Sequence, residues 1–382
     1  MIEANRTDLS DEDAAVIAAV TRLAAEKLAP FAAEVDENGV FPTAQMRALA
    51  ALGAWGLNLP ESLGGPGLSP IALAACVEAI AGACASTASA LTAHFLATDA
   101  IHLGGDAALQ ARFLPAAAAG DALGAFALTE PAAGSNPADM RCRALREGDC
   151  YRLIGVKHFI SNGGIADFIV VFAVTDQAAG HKGISAFVVE RGTPGLAVSG
   201  PEKTMGIRGG HVFELAFDCL IPAANRVGPE GGGFRTAMRT LDNGRVEVAA
   251  MCLGIAQAAF DATVAWTHER RIGGQELADY QGVQWMIADM GTQLRAARLL
   301  TEDAAAKRAA GVRFSQEASM AKLFASEAAA KIADQALQLH GGYGFTRALP
   351  LERHVRDLRI MRIYEGSSEI QRTIIARHLL TK

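Results

Sequence analysis

Three patterns of apolar and polar positions follow one another along the chain. Up to about residue 120, apolar residues recur at helical spacing, broken at Pro30, at Gly39 to Pro42 and at Pro60 to Gly67. Asp8 or Ser10 can cap the first helix, and Asp11, Glu12 and Asp13 fall in its first turn, where the helix dipole favours negative charge. From Ile71 to Leu114 small residues dominate and allow close helix approach, while Leu91, Phe95 and Leu103 supply bulk. The run Gly64-Gly65-Pro66-Gly67 lacks a Gly-Lys-Ser/Thr ending and follows no strand, so it reads as a turn between helices and not as a phosphate loop.

Near residue 121 the period becomes that of strands. Tyr151 to Gly155 reads as a strand ending in a glycine turn, and Phe168 to Val174 and Ile184 to Val189 are unbroken apolar runs of strand length. Phe213, Leu215 and Phe217 alternate with Glu214, Ala216 and Asp218, the signature of a half-buried strand. Short strands with glycine turns and no helical pattern predict an antiparallel barrel or sandwich. After Gly231-Gly232-Gly233 the helical period returns. Met286, Met290, Leu294 and Ala297 form one stripe and Met320, Leu323, Phe324 and Ala328 another, each read as the core face of a bundle helix. The expected fold is α+β and multidomain: a helical domain over 1–121, a middle antiparallel β-barrel or sandwich over 122–229, and a four-helix-bundle-like domain over 230–382.

Composition narrows the function. With 382 residues, 51% hydrophobic and 20% charged, the chain is an ordinary globular protein of two or three subdomains. A net charge of −6 gives no footing for general nucleic-acid binding, and the basic cluster from Arg353 to Arg362 is offset by Glu352, Asp357 and Glu365. Six scattered cysteines without a Cys-x-x-Cys pair point to reduced thiols, and the histidines form no metal motif, so no metal is expected. The acidic start, Met1 to Asp8, has no apolar core of the signal-peptide kind. The Ala-rich stretches near 71–98 and 113–128 are interrupted by Glu78, His94 or Asp121. A soluble protein without membrane insertion is expected, cytoplasmic, or in the mitochondrial matrix if eukaryotic.

Four segments carry candidate chemistry. Glu365 sits between Tyr364 and Gly366-Ser367-Ser368, where the chain should leave regular helix. A carboxylate on such a turn is either a surface group or, if buried in a cleft, a base whose pKa rises toward neutrality. In Phe126 to Asn136 the hydroxyls of Thr129 and Ser135 flank a Pro-Gly turn and, with free backbone donors, could face a planar polar ligand. In Lys157 to Gly164, Phe159 and Ser161 would share a face of an extended chain. In Gln338 to Phe345, the pair Gly341-Gly342 either lets a ligand approach the backbone or simply ends a helix.

Together and in this order, these segments resemble the acyl-CoA dehydrogenase family, with its Thr-Glu-Pro-x-Ala-Gly-Ser, Trp-Ile-Thr/Ser-Asn-Gly, Gln-x-x-Gly-Gly-x-Gly and Tyr-Glu-Gly-Thr/Ser motifs. The likeness spans essentially the whole chain and includes Met205 to Arg208 and Ile370-Gln371-Arg372. It implies FAD as cofactor, an acyl-CoA substrate, an electron-transferring flavoprotein as electron acceptor, and a homotetramer. By resemblance, Thr129 and Ser135 bond the flavin and its ribityl–phosphate part, with Ser135 also near the acyl-CoA; Phe159 packs on the flavin and Ser161 bonds its ring edge. Arg270, Gln338, Gly341 and Gly342 match contacts made to FAD from a neighbouring subunit. Phe126, Leu128, Ile160, Gln281, Ser367 and Glu369 belong to the cofactor's surroundings in the same way. Asp242 and Arg245 match residues lining the mouth of the CoA channel, and Gly366 a substrate contact. Glu365 matches the base that removes the α-proton while the flavin takes the β-hydride, giving an enoyl-CoA. Some relatives carry the base on an earlier helix, where this chain has Gly244; the nearby Asp242 reads as a CoA contact and Glu247 as a solvated helix charge. Two positions depart from the family pattern: Gly273 replaces an aromatic near FAD, and Glu369 stands where Gln is common. Short or branched acyl chains are expected. The alternatives are a flavin oxidase of this fold, acting on acyl-CoA or nitroalkanes, and a flavin-free scaffold.

Overall fold

The computed structural model describes residues 9–381. Six helices come first: α1 (Asp11–Leu23), α2 (Ala32–Asn38), α3 (Thr43–Ala51), α4 (Pro70–Ala83), α5 (Ala85–Gly104) and α6 (Ala107–Ala119). Ser10 caps α1 by accepting a hydrogen bond from the Asp13 N–H, with the three acidic residues in the first turn; Asp8, the other candidate cap, lies outside the described residues.

The middle region forms one seven-stranded sheet: β1 (Gly124–Ala127), β2 (Arg143–Glu147), β3 (Cys150–Ser161), β4 (Phe168–Val174), β5 (Ile184–Glu190), β6 (Leu196–Val198) and β7 (Val212–Pro222), in the order β1-β4-β2-β3-β7-β6 with β5 also on β4. Most pairings are antiparallel as expected, but β1 and β2 each run parallel to β4. The unbroken apolar run of β4 has a plain cause. Phe168, Val170 and Phe172 pack against Ile101, Phe113 and Leu114 of the helices, while Ile169, Val171 and Ala173 face Leu153, Phe187 and Leu215 inside the β layer.

The glycine turn expected at Gly155 is absent. Strand β3 runs through Gly155 at φ 152°, where a Cβ would stand 2.7 Å from the Cα of Cys142. Glycine is needed there because another backbone passes close by, not because the chain turns.

The C-terminal region is built on α7 (Gly233–Glu269), with α8 (Gln281–Ala309), α9 (Ser315–His340), α10 (Leu351–Ile360) and α11 (Ser368–Leu380) after a small β8–β9 hairpin (Arg271–Ile272, Gln275–Glu276). By length and composition α7 could cross a membrane, yet 67% of its apolar window is buried inside the fold, as in a core helix. Helix α4 crosses it at Gly254, where a Cβ would overlap the Glu78 carbonyl oxygen. The α8 stripe is core at Met290, Leu294 and Ala297. The α9 stripe is core only at Ala328: Met320 and Leu323 are half-buried, Phe324 is exposed, and the buried face includes Ala318, Ala321, Lys322, Ala325 and Ala329. Alanines let α9 lie close to α7, so the smaller residues face inward and the larger ones outward.

Candidate active site

The turn after α10 departs from ordinary backbone geometry. Four non-glycine residues among those described have positive φ: Phe159 (57°), Asn162 (62°), Ile207 (50°) and Glu365 (51°). All four fall in segments singled out from the sequence. Such residues cost about 1–3 kcal/mol each and persist only where their surroundings enforce them. Around Glu365 the enforcement is visible. Lys322 Nζ donates to the Gly366 carbonyl at 2.8 Å, and Gln371 Nε2 donates to the carbonyls of Glu365 and Gly366 at 3.0 and 2.9 Å. Ser367 caps α11, and Ser368 Oγ donates to Glu327 at 2.7 Å.

This turn aims the Glu365 carboxylate at α7 where that helix has no side chain. A Cβ added at Gly244 would collide with Glu365 Oε2 and stand 2.8 Å from Leu96 Cδ2. Oε2 is buried and has no hydrogen-bond partner among the described residues. Burial pushes the carboxyl up to about 7, against the pull of Lys322 and Arg245, whose positive charges favour the anion. The Glu365 N–H also makes no hydrogen bond among the described residues. Glu365 is therefore buried at Oε2, with a carboxyl poised near neutrality.

Arg245 and Asp242 stand one turn apart on α7 and form an ion pair at 2.6 Å, with Ser315 Oγ donating to the other Asp242 oxygen. Both are at least nine-tenths buried in this chain, Arg245 at 5% exposure and Asp242 at 9%. Glu247 is not the solvated helix charge expected from the sequence: it is 1% exposed. The reason is that the helix carrying it is the central core helix, so none of its faces in this region meets water.

On the β side, Thr129, Ser135 and Ser161 carry hydroxyls without partners among the described residues, while Leu128 and Ile160 are core. A buried ion pair shapes this loop. Lys157 Nζ donates to Glu130 Oε1 at 2.8 Å and to the Leu128 carbonyl at 2.9 Å, and Glu130 also accepts from the N–H groups of Arg141 and Cys142. Phe126 packs on Phe172 at 4.9 Å between ring centres. Phe159 and Ser161 do not share an extended face as expected, because β3 slips register between Lys157 and Ile160 and Phe159 takes a left-handed conformation. Phe159 is left 61% exposed with its ring stacked on His158.

A third group lines a cavity of about 590 Å³: Arg270, Gln338, Gly341 and Gly342, with Trp266, Tyr343 and others. Arg270 has no ion pair among the described residues, and its guanidinium lies 6.0 Å from the Tyr343 ring centre. Gly341 has φ 59° and ψ −136°, and a Cβ there or at Gly342 would meet nothing within 4 Å. An unpaired guanidinium beside open glycine backbone suits a diphosphate, and partnerless hydroxyls beside an exposed aromatic suit a flavin ring, so the residues fit FAD. Gln281 is exposed at the start of α8, outside that lining, and Glu369 is exposed in the first turn of α11 with its carboxyl lowered by the Ser367 hydrogen bond. Gly273 serves the hairpin turn with Gly274, at φ 59° and 87°.

Family models for the N-terminal, middle and C-terminal domains of acyl-CoA dehydrogenase match residues 10–121, 125–220 and 231–380. The chain belongs to the acyl-CoA dehydrogenase family, flavin-dependent oxidoreductases whose cofactor is FAD. It is 43% identical to an acryloyl-CoA reductase (NADH) of Anaerotignum propionicum, over 93% of this chain and 91% of that one. The structure of butyryl-CoA dehydrogenase from Megasphaera elsdenii superposes with a TM-score of 0.95 at 38% identity, covering 98% and 99% of the two chains. A chain in a structure of the electron transferring flavoprotein of Acidaminococcus fermentans gives 0.96 at 38% identity, with the same coverage.

Sequence reasoning passed over Lys322, Lys157 and Asp99. Lys322 was legible in principle, since it sits at helical spacing among alanines that all face inward. The other two announce nothing until the fold surrounds them.

Proposed function

We propose that the protein dehydrogenates a short acyl-CoA to its α,β-enoyl-CoA, with Glu365 as the base that removes the α-proton. The observation that carries this reading is the Glu365 carboxylate itself, enclosed against Gly244 and unpartnered at Oε2, with burial pushing its carboxyl up to about 7. Bound FAD supplies the acceptor for the β-hydride. Glu365 Oε2 takes and holds the α-proton, and the free Glu365 N–H is a donor for the thioester oxygen, where negative charge develops as the proton leaves. Lys322 and Arg245 keep a useful fraction of the carboxylate ionised despite burial. Arg270, Gln338 and the Gly341–Gly342 backbone would hold the cofactor's diphosphate end, and Thr129, Phe159 and Ser161 its ring system. Asp242 and Arg245 would guide the CoA thioester, with Ser135 and Gly366 beside it.

The similarity to butyryl-CoA dehydrogenase supports a short acyl chain, and that to the Acidaminococcus chain supports an electron-transferring flavoprotein as redox partner. The similarity to an acryloyl-CoA reductase supports a second reading, in which the same site runs toward reduction of an enoyl-CoA. Anaerobic mixing of the yellow holoenzyme with butyryl-CoA should bleach the flavin, and Glu365→Gln should bind the thioester yet bleach at least about a thousand-fold more slowly. Rapid bleaching by that variant would remove Glu365 from the mechanism. Reoxidation by electron-transferring flavoprotein against oxygen alone separates dehydrogenase from oxidase.

A further inference from the structure

Beyond the Glu365 carboxylate the interior turns polar again. Glu247 follows Gly244 by three residues on α7, so the two share a helix face about 4.5 Å apart along the axis. Glu247 is 1% exposed, and neither of its carboxylate oxygens has a hydrogen-bond partner among the described residues. Arg308 reaches toward it but stops short, with Nη1 3.7 Å from Glu247 Oε1 and Nη2 3.8 Å from Asp99 Oδ2. Asp99 commits its two oxygens to the side-chain amides of Asn58 and Asn243, each at 2.7 Å. Asn58 Oδ1 and Thr240 Oγ1 are likewise buried without partners. Burial, with the negative charges of Asp99 and Glu365 nearby, pushes the Glu247 carboxyl well above its usual range despite Arg308. Its two carboxylate oxygens stand open to an incoming donor.

Buried polar atoms are almost always paired, so open groups this close to the Glu365 carboxylate call for a partner that binds beside it. An alkyl terminus placed against Glu247 would leave its oxygens unpaired. A hydroxyl both donates and accepts, and so can pair with the open Glu247 oxygens in front of Arg308 and Asp99. We propose that Glu247, with Asp99 and Arg308 behind it, forms a polar subsite one helical turn from the base, taking the distal hydroxyl of a short ω-hydroxyacyl-CoA. The inference rests on the reading of Glu365 as the base, and it narrows the substrate class from short acyl-CoA to short acyl-CoA with a polar end. Its chemistry also sets a specificity: a site built to pair a hydroxyl rejects the analogue that lacks it, because its own groups are then stranded.

The test is a binding measurement on the FAD-loaded Glu365→Gln enzyme, whose slow turnover leaves the thioester intact during the titration. Titration calorimetry with γ-hydroxybutyryl-CoA and butyryl-CoA should show the hydroxylated thioester bound at least about ten-fold more tightly. Glu247→Leu should abolish or invert that ratio, while the isosteric Glu247→Gln keeps most of it and reports on fold integrity. Equal binding of the two thioesters, or a ratio unchanged in Glu247→Leu, overturns the subsite. Failure of the dehydrogenase reading looks different: the enzyme with Glu365 intact would bind both thioesters and bleach with neither, while the binding ratio still judges Glu247.

Discussion

Opposed influences meet at the Glu365 carboxyl. Loss of water favours the acid, while the cations of Lys322 and Arg245 favour the anion, and the balance falls near 7. Lys322 has a second task, since its ammonium also donates to the Gly366 carbonyl. Removing its charge takes away an attraction that favours the Glu365 anion, so the pKa must rise. In the proposed reaction, α-proton removal needs the anion, and its rate should climb with pH through about 7 and level off above. Lys322→Met should move that limb to higher pH by about one unit or more. Exchange of the substrate α-hydrogen with deuterated solvent reports it directly; a lowered plateau with an unmoved limb would give Lys322 a structural role only.

At the scale of elements, the loop between β1 and β2 is set by one buried pair. Lys157 on β3 clamps Leu128 and Glu130, and so fixes the path of the chain on either side of Thr129. Taking one partner from a buried ion pair strands the other, at a cost of about 3–5 kcal/mol. Lys157→Met should therefore lower the denaturation midpoint by that equivalent and weaken retention of FAD, since Thr129 loses its frame. An unchanged midpoint, measured by circular dichroism during guanidinium titration, would show that the Glu130 bonds to Arg141 and Cys142 suffice alone. The burial of α7 belongs to this scale too. Its small residues admit α4 and α9 closely, and its Gly244 admits a side chain from the turn after α10.

For the whole molecule, two sets of FAD-type residues lie in separate places. Arg270 and Gln338 line the large cavity, whose lining includes none of Thr129, Phe159, Ser161 or Glu365. Exposed aromatic surface gathers near that cavity, with Tyr343 at 56%, Phe345 at 81% and Trp285 at 63% exposure. A neighbouring copy that brings its own cavity to the β side would unite the two sets and cover these rings, which is the arrangement expected of a homotetramer. Arg270→Ala should lower FAD content after purification and shift sedimentation toward smaller species together. Full flavin content in that variant would place the diphosphate elsewhere.

Sequence alone determined the succession of helical, strand and helical regions, because period depends only on neighbours along the chain. It also singled out Glu365, Thr129, Ser161, Arg270 and the glycine pair, because these stand in motifs whose residue types are distinctive. It misjudged Gly155, most of the α9 stripe and Glu247, and for one reason: each depends on what lies across from it. A glycine cannot show in sequence that Cys142 passes 2.7 Å from its missing Cβ, and a glutamate on a helix looks solvated until the helix proves central. Tertiary structure decided that the Glu365 carboxylate fills the gap at Gly244, with Lys322 and Arg245 close enough to tune it. Burial and charge proximity act through space, between residues 120 or more positions apart for Gly244 and Glu365, and no local pattern records them.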